Sequence, residues 1–179
     1  MLKIRLPASD FYDEVNNEFV TFKEVTLRFE HSLTSIAKWE AKWHKAFLTK
    51  EDKTNEEMED YVRCMCLDEV DEITIRRLNR NDLDRLNKYI EDPMTATWFN
   101  DSHRGRPSRE IVTSELIYYW MIQCEIPFEC QNWHLNRLLT LIRVCDVKNA
   151  PPKKMSKSDL MRRNTMLNDA RRKKLNTRG

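Results

Sequence analysis

The stretch from Ile111 to Val144 constrains the fold most, because an apolar segment is followed by an amphipathic one. The first segment carries apolar residues on nearly every face, which is typical of a helix that the rest of a domain surrounds. The second repeats apolar residues at helical spacing: Leu135, Leu138, Leu139 and Ile142. Pro127 suits the first turn of the second helix, where a missing N–H costs nothing. We therefore predict a helical hairpin that forms the core.

The N-terminus predicts a small antiparallel sheet. Leu2, Ile4 and Leu6 alternate with charged residues, as in a half-buried strand. Alternation resumes between Phe19 and Phe29, but its phase changes by one residue at Lys23-Glu24. A tight turn or a β-bulge explains such a change, and we favour the bulge because neither Gly nor Asn-Gly is present.

Helix-start signals recur along the middle of the chain. The spacing of apolar residues predicts a helix over 32–47, and a Thr54–Glu57 capping box starts a second helix that runs to about Leu67. Asn79 or Asn81 caps a third, and Pro93 follows its end. Ser108 is expected to cap the central helix, with Glu110 in its first turn.

The C-terminus differs from the rest of the chain in charge. Residues 148–179 hold eleven Lys or Arg and two Asp, a net charge of +9, whereas the preceding 147 residues sum to −7. A Pro-Pro breaker precedes Ser156 and Asp159, which form a capping box flanked by the staple residues Met155 and Leu160. We predict a helical domain at 1–149 and a linker with a basic helix at 150–179. The fold class is α+β and mostly α-helical, with a small N-terminal antiparallel sheet packed on a helical bundle.

Composition excludes several classes of function. Two glycines in 179 residues leave no P-loop or dinucleotide-binding motif. No apolar run reaches the ~18 to 20 residues of a membrane span, and we expect neither a signal peptide nor membrane association. Five scattered cysteines indicate reduced thiols in a cytosolic protein.

Candidate catalytic and metal-binding residues are few. Cys124, Cys130, His134 and Cys145 could bind zinc, since Cys130 and His134 are four residues apart, but no Cys-x-x-Cys pair supports this. The same residues could form a Cys–His nucleophile pair, but no Gly-rich turn presents a cysteine. Buried thiols and a hydrogen-bonded histidine are the simpler interpretation, so we expect no enzyme, metal or cofactor.

Binding is the remaining class of function. The candidate partner-binding residues are an aromatic residue beside a polar loop, an arginine of the second core helix and the cations of the basic helix: Trp98, Arg137, Arg162, Arg163, Arg171, Arg172, Lys173 and Lys174. The cations could contact phosphates of a nucleic acid, although this segment lacks aromatic residues to stack on bases. Alternatively, they could dock on an acidic protein surface, including that of the chain itself.

Several sequence segments resemble segments of small tail-region assembly proteins of long-tailed phages. They are Ile117-Tyr-Tyr-Trp-Met-Ile122, Ile126-Pro-Phe-Glu-Cys-Gln-Asn-Trp-His-Leu-Asn-Arg-Leu-Leu139, Ala150-Pro-Pro-Lys-Lys-Met-Ser156 and the ending from Arg162 to Gly179. The ending, an Arg-Asn-x-x-Leu-Asn-x-x-Arg-Arg helix with a short tail, is similar to tail assembly chaperones. The N-terminal opening looks like the same group.

The resemblance implies a non-catalytic role in tail morphogenesis. Such chaperones bind the tape-measure protein, and sometimes tail-tube subunits, in the host cytoplasm and are absent from the finished virion. A tape measure is a long helical chain whose apolar faces aggregate when they are uncovered. Self-association is a further expectation, and a nucleic-acid-binding phage protein that uses the basic helix is the alternative.

Overall fold

The computed structural model describes residues 1–13, 18–99, 110–150 and 156–176. The fold is α+β and mostly helical, as predicted. The chain divides into two compact units, Met1–Asp146 and Val147–Gly179. This division falls inside the helix Leu135–Asn149, whereas the boundary predicted from the sequence falls at the end of that helix.

The N-terminal strands form two antiparallel pairs with one continuous register. Strand β1 (Leu2–Leu6) pairs with β4 (Val25–Phe29), and β2 (Ser9–Asp13) pairs with β3 (Glu18–Phe22). The predicted bulge is wrong, because the register does not shift between the pairs: two residues on one strand, 7–8, face two on the other, 23–24. Pro7 has no N–H to donate to the ladder, which explains an interruption at this point.

The two strand pairs differ in burial: the inner pair is β1 with β4, and the outer pair is β2 with β3. Ile4, Leu6, Leu27 and Phe29 are buried in the core. Phe19 is exposed, as are its neighbours Tyr12 and Val20 in the outer pair. Sheet and helices therefore share one core through β1 and β4.

Helices α1 (Leu33–Trp43) and α2 (Asn55–Met65) pack against each other. The Thr54–Glu57 capping box is confirmed. The first helix ends four residues before the predicted Phe47, because His44 adopts a left-handed conformation (φ 53°) and closes it.

The next two helices, one of five residues and one of 12, are capped by acidic or amide side chains. Asp71 caps α3 (Glu72–Arg76), and Asn79 caps α4 (Arg80–Glu91) with Asp82 completing a capping box. The sequence left Asn79 and Asn81 as alternative caps, and the structure shows that Asn79 is the cap.

Helices α1 and α2 are also joined by a hydrogen bond inside the core. The Nε1–H of Trp39 in α1 donates to the backbone carbonyl of Glu57 at 2.8 Å.

The central segment departs most from the prediction. Helix α5 is Ser114–Gln123 and is capped by Thr113, so Glu110 lies before the helix and not in its first turn; Ser108 lies outside the described residues. The prediction that the domain surrounds α5 is wrong, because Tyr119 and Ile122 are exposed. The apolar composition of α5 predicted more burial than the structure has, because one face of this helix is exposed to solvent.

Pro127 precedes a short 3-10 helix, Phe128–Asn132, and does not start the second long helix as predicted. That helix, α6, is Leu135–Asn149. Its predicted apolar stripe is confirmed, with Leu135, Leu138 and Ile142 buried and Leu139 half-buried. The last helix, α7, is Lys157–Leu175.

Candidate protein-binding surfaces

Helix α7 is specified by its local sequence. The Ser156 hydroxyl accepts the backbone N–H of Asp159 at 3.1 Å, so Ser156 is the N-cap as predicted. The Asp159 carboxylate accepts from the Ser156 hydroxyl at 2.6 Å, whereas in the predicted capping box it would accept from the Ser156 backbone N–H. Met155, the predicted staple residue, lies outside the described residues. Three cations, Arg172 to Lys174, lie in the last turn, where they interact favourably with the helix dipole. Asn176 closes the helix in a left-handed conformation (φ 52°).

Every residue of α7 is exposed, including its apolar ones. Met161 and Met166 each expose 74% of their surface, and together with Arg162 and Thr165 they form one continuous surface. At 100° per residue, Leu160 and Leu167 lie on the opposite side of the helix. Such exposed apolar groups are characteristic of an interaction surface, and methionine adapts to irregular partners.

Six of the predicted partner-binding residues lie on α7 and are exposed: Arg162, Arg163, Arg171, Arg172, Lys173 and Lys174. The other two lie in the first unit. Trp98 is 89% exposed, which fits its prediction as the tryptophan least suited to the core. The guanidinium of Arg137 lies 4.1 Å from the ring centroid of Trp133, so this cation is already stacked on an aromatic ring. Trp98 and Arg137 share no hydrogen bond or ring contact within the described ranges.

A groove of about 390 Å³ lies between α2 and α4, and the sequence did not reveal it. Its apolar lining is contributed by both helices: Met58, Tyr61, Val62, Leu83, Leu86 and Ile90. Asn55, Glu59 and Asn87 supply the polar lining. A smaller cavity of about 130 Å³ is lined by some of the same residues and reaches Arg63 and Arg76.

The charges around α2 are unevenly paired. Lys42 contacts Asp60 at 2.5 Å, and Lys45 pairs with Glu57. Arg63 and Arg76 both reach Glu72, at 3.7 and 2.6 Å. By contrast, Glu56 and Glu59 are exposed and make no ion pair with any described residue. The α2 side of the groove therefore carries unpaired negative charge, with Glu59 as the charged residue of the groove lining.

A buried network of histidine and tyrosine side chains is the other feature that sequence reasoning missed. His31 Nδ1 hydrogen-bonds the Tyr61 hydroxyl, and the His31 ring lies 5.1 Å from that of His134. His134 Nε2 lies 2.9 Å from the carbonyl of Tyr89, and since a carbonyl only accepts, Nε2 carries the proton. The Tyr89 hydroxyl donates to Glu30 at 2.6 Å. The two residues of each hydrogen bond are 30 or more positions apart, so no local pattern predicts the network.

The electrostatics of this network suit a structural role. Burial, together with the neighbouring His134, lowers the pKa of His31 to about 4, so the ring is neutral near pH 7. Burial raises the pKa of Tyr61, and burial with the Glu30 carboxylate raises that of Tyr89. The neutral imidazole of His31, the ring of His134 and the two protonated phenols join the segment before α1 to α2, α4 and the start of α6.

Of the four candidate metal ligands, Cys124 and Cys145 interact through their thiols, and the other two lie apart from them. Cys130 is buried and His134 is hydrogen-bonded, whereas Cys124 lies 3.9 Å from Asp146 through its sulfur. No group of three or more His, Cys, Asp or Glu side chains able to hold a metal occurs within the described ranges. All five cysteines are free thiols.

Comparison with known proteins gives no family. No family model, no curated protein and no solved structure matches the chain. Among the described residues, no helix is both long and apolar enough to cross a membrane.

Proposed function

We propose that this chain is a non-catalytic chaperone of phage tail assembly that binds the tape-measure protein in the host cytoplasm, with tail-tube subunits as a second partner. One observation carries the proposal: α7 is a 19-residue helix with no buried residue, and it exposes apolar side chains among its cations. A helix that buries none of its apolar surface is poorly stabilised by packing, which suits an element that binds another chain. The identity of the partner rests on the sequence resemblance to tail assembly chaperones.

An α-helical partner would present apolar stripes with a helical spacing. Met161 and Met166 on one side of α7, and Leu160 and Leu167 on the other, supply two apolar surfaces for such stripes.

The test is capture of the partner from phage-infected cells. Tagged protein is recovered after nuclease treatment in moderate salt, and a matched variant replaces Leu160, Met161, Met166 and Leu167 by Gln. Gln keeps the helix propensity and the charge of α7 but removes its apolar surface. We expect wild-type protein to recover the tape-measure protein, the variant to lose it, and purified virions to lack the bait. A bait fixed in virions would make the chain a structural tail component and overturn the chaperone role.

Nucleic-acid binding is the second candidate, and the four consecutive exposed cations Arg171 to Lys174 favour it. Binding through phosphates depends on charge alone, so it should weaken steeply as salt rises and disappear when these four residues become Ala. Recovery of nucleic acid before nuclease treatment, with no protein after it, would replace the chaperone proposal by this one.

A further inference from the structure

The groove between α2 and α4 has the chemistry of a helix-binding site. Val62 and Leu86 are buried at its base, whereas Leu83 is 42% exposed and contributes apolar surface that solvent reaches. Both helices run for 11 or 12 residues, about 17 Å at ~1.5 Å per residue, which accommodates three turns of a bound helix.

The charge at this groove selects a basic occupant. Helix α2 carries four carboxylates and one arginine, and two of the carboxylates are paired with Lys42 and Lys45. Glu59, which lines the groove, makes no ion pair with any described residue, and neighbouring Glu56 makes none either. At the Arg63 end of α2, the positive charges of Arg63 and Arg76 are compensated by ion pairs with the Glu72 carboxylate. An acidic apolar groove favours an apolar helix that carries positive charge.

The chain itself contains such a helix. Between Lys157 and Leu175 there are seven Lys or Arg and two Asp, a net charge of +5. Met161 and Met166 form an exposed apolar surface with Arg162 between them. The methionines match the apolar lining of the groove, and Arg162 matches the carboxylate of Glu59.

We propose that the α2–α4 groove binds helix α7 of a second copy of this chain, with Met161 and Met166 against Leu83 and Arg162 beside Glu59. Each copy offers one groove and one helix, so the contact is heterologous and either closes as a reciprocal pair or extends to further copies. The proposal concerns the chain alone and does not depend on any phage partner.

Sedimentation velocity of the purified full chain over a concentration series tests the proposal. We expect the mean mass to rise above 21.6 kDa with concentration. Leu83→Lys and the double variant Met161→Lys with Met166→Lys should each remain at one chain. Lys has nearly the helix propensity of Leu and Met, so both helices are retained, and circular dichroism checks this. Leu160→Lys with Leu167→Lys adds the same charge on the opposite side of α7 and should associate like wild type.

Mixing the two defective proteins provides the decisive measurement. The Leu83→Lys protein keeps an intact α7, and the Met161→Lys, Met166→Lys protein keeps an intact groove, so the mixture should form complexes of two chains and no more. Glu59→Lys, an exposed change that leaves the core intact, should weaken self-association by about three- to tenfold and reduce its dependence on salt.

Three results would overturn the proposal. They are a wild-type chain that stays monomeric at every concentration, self-association that survives both Lys variants, and a mixture that fails to form two-chain complexes. A wild-type chain that captures a tape measure while remaining monomeric would leave the proposed function standing and remove this one.

Discussion

The carboxylate of Glu40 accepts the backbone N–H of Ser114 at 2.7 Å, across 74 positions of sequence. Its other oxygen accepts the N–H of Phe47 at 2.7 Å. Glu40 is buried in the last turns of α1, so one side chain satisfies both the turn that leaves α1 and the first residue of α5. This contact fixes where α5 begins and explains why a charged residue lies within the core.

Replacing Glu40 by Gln should destabilise the protein. Gln offers one acceptor oxygen, so its NH₂ group would face one of the two backbone N–H groups and leave that donor unpaired. The expected loss in the free energy of unfolding is about 1–3 kcal/mol. Urea unfolding measures it, and Glu56→Gln, an exposed change on α2, should shift stability by less than about 0.5 kcal/mol. Equal stability of Glu40→Gln and wild type would show that neither bond matters.

Stability should fall in mildly acidic solution because of His31. Folding lowers the pKa of this ring from 6.5 to about 4, since burial penalises the charged form. The unfolded chain therefore binds more protons than the folded chain between these pH values. The contribution of His31 to the free energy of unfolding is complete above pH 6.5 and is lost as pH falls towards 4. The total loss is about 3 kcal/mol. Urea unfolding at pH 7, 6, 5 and 4 follows it.

Two variants isolate the His31 contribution. His31→Gln removes the titrating group and should flatten the decline in stability between pH 6.5 and 4, at the cost of lower stability at pH 7. His44→Asn changes an exposed histidine to a residue that tolerates the left-handed conformation found there, so the decline should persist. An unchanged pH profile in His31→Gln would assign the acid sensitivity to other groups.

The sequence predicted some local signals correctly, such as two helix starts, but it predicted none of the long-range contacts. The side-chain oxygens of Thr54 and Ser156 each accept the backbone N–H of the residue three positions later, so both helix starts were predicted correctly. The groove and the His31–Tyr61 contact join residues on separate elements, and no spacing reveals them. The exposure of Tyr119 was missed because hydropathy reports how apolar a helix is, and not how much of it finds a packing partner.

Helix α7 should depend on its N-cap more than a buried helix does, because none of its residues is packed in a core. Ser156→Ala removes the acceptor for the Asp159 N–H and should cost the helix about 1 kcal/mol. The far-ultraviolet circular dichroism signal of the full chain should decrease by the share of α7, while urea unfolding of the first unit stays unchanged. Asn168→Ala, an exposed change in the interior of the same helix, is the control and should retain the helical signal.

The salt dependence of binding should separate the two uses of α7. Changing Arg171, Arg172, Lys173 and Lys174 to Ala removes four exposed cations and leaves the apolar side chains in place. If the helix binds a protein through those apolar side chains, capture of the partner persists at high salt and also persists in the variant, because each exposed ion pair contributes only ~0.2–1 kcal/mol. If it binds phosphates, log K falls in proportion to log salt with a slope of about −0.7 to −0.9 per contact, and the variant no longer binds the nucleic acid. Fluorescence anisotropy with a labelled single-stranded oligonucleotide, from low to moderate salt, measures the slope directly. A slope near zero for wild type would exclude the phosphate-binding use and leave the apolar surface as the basis of recognition.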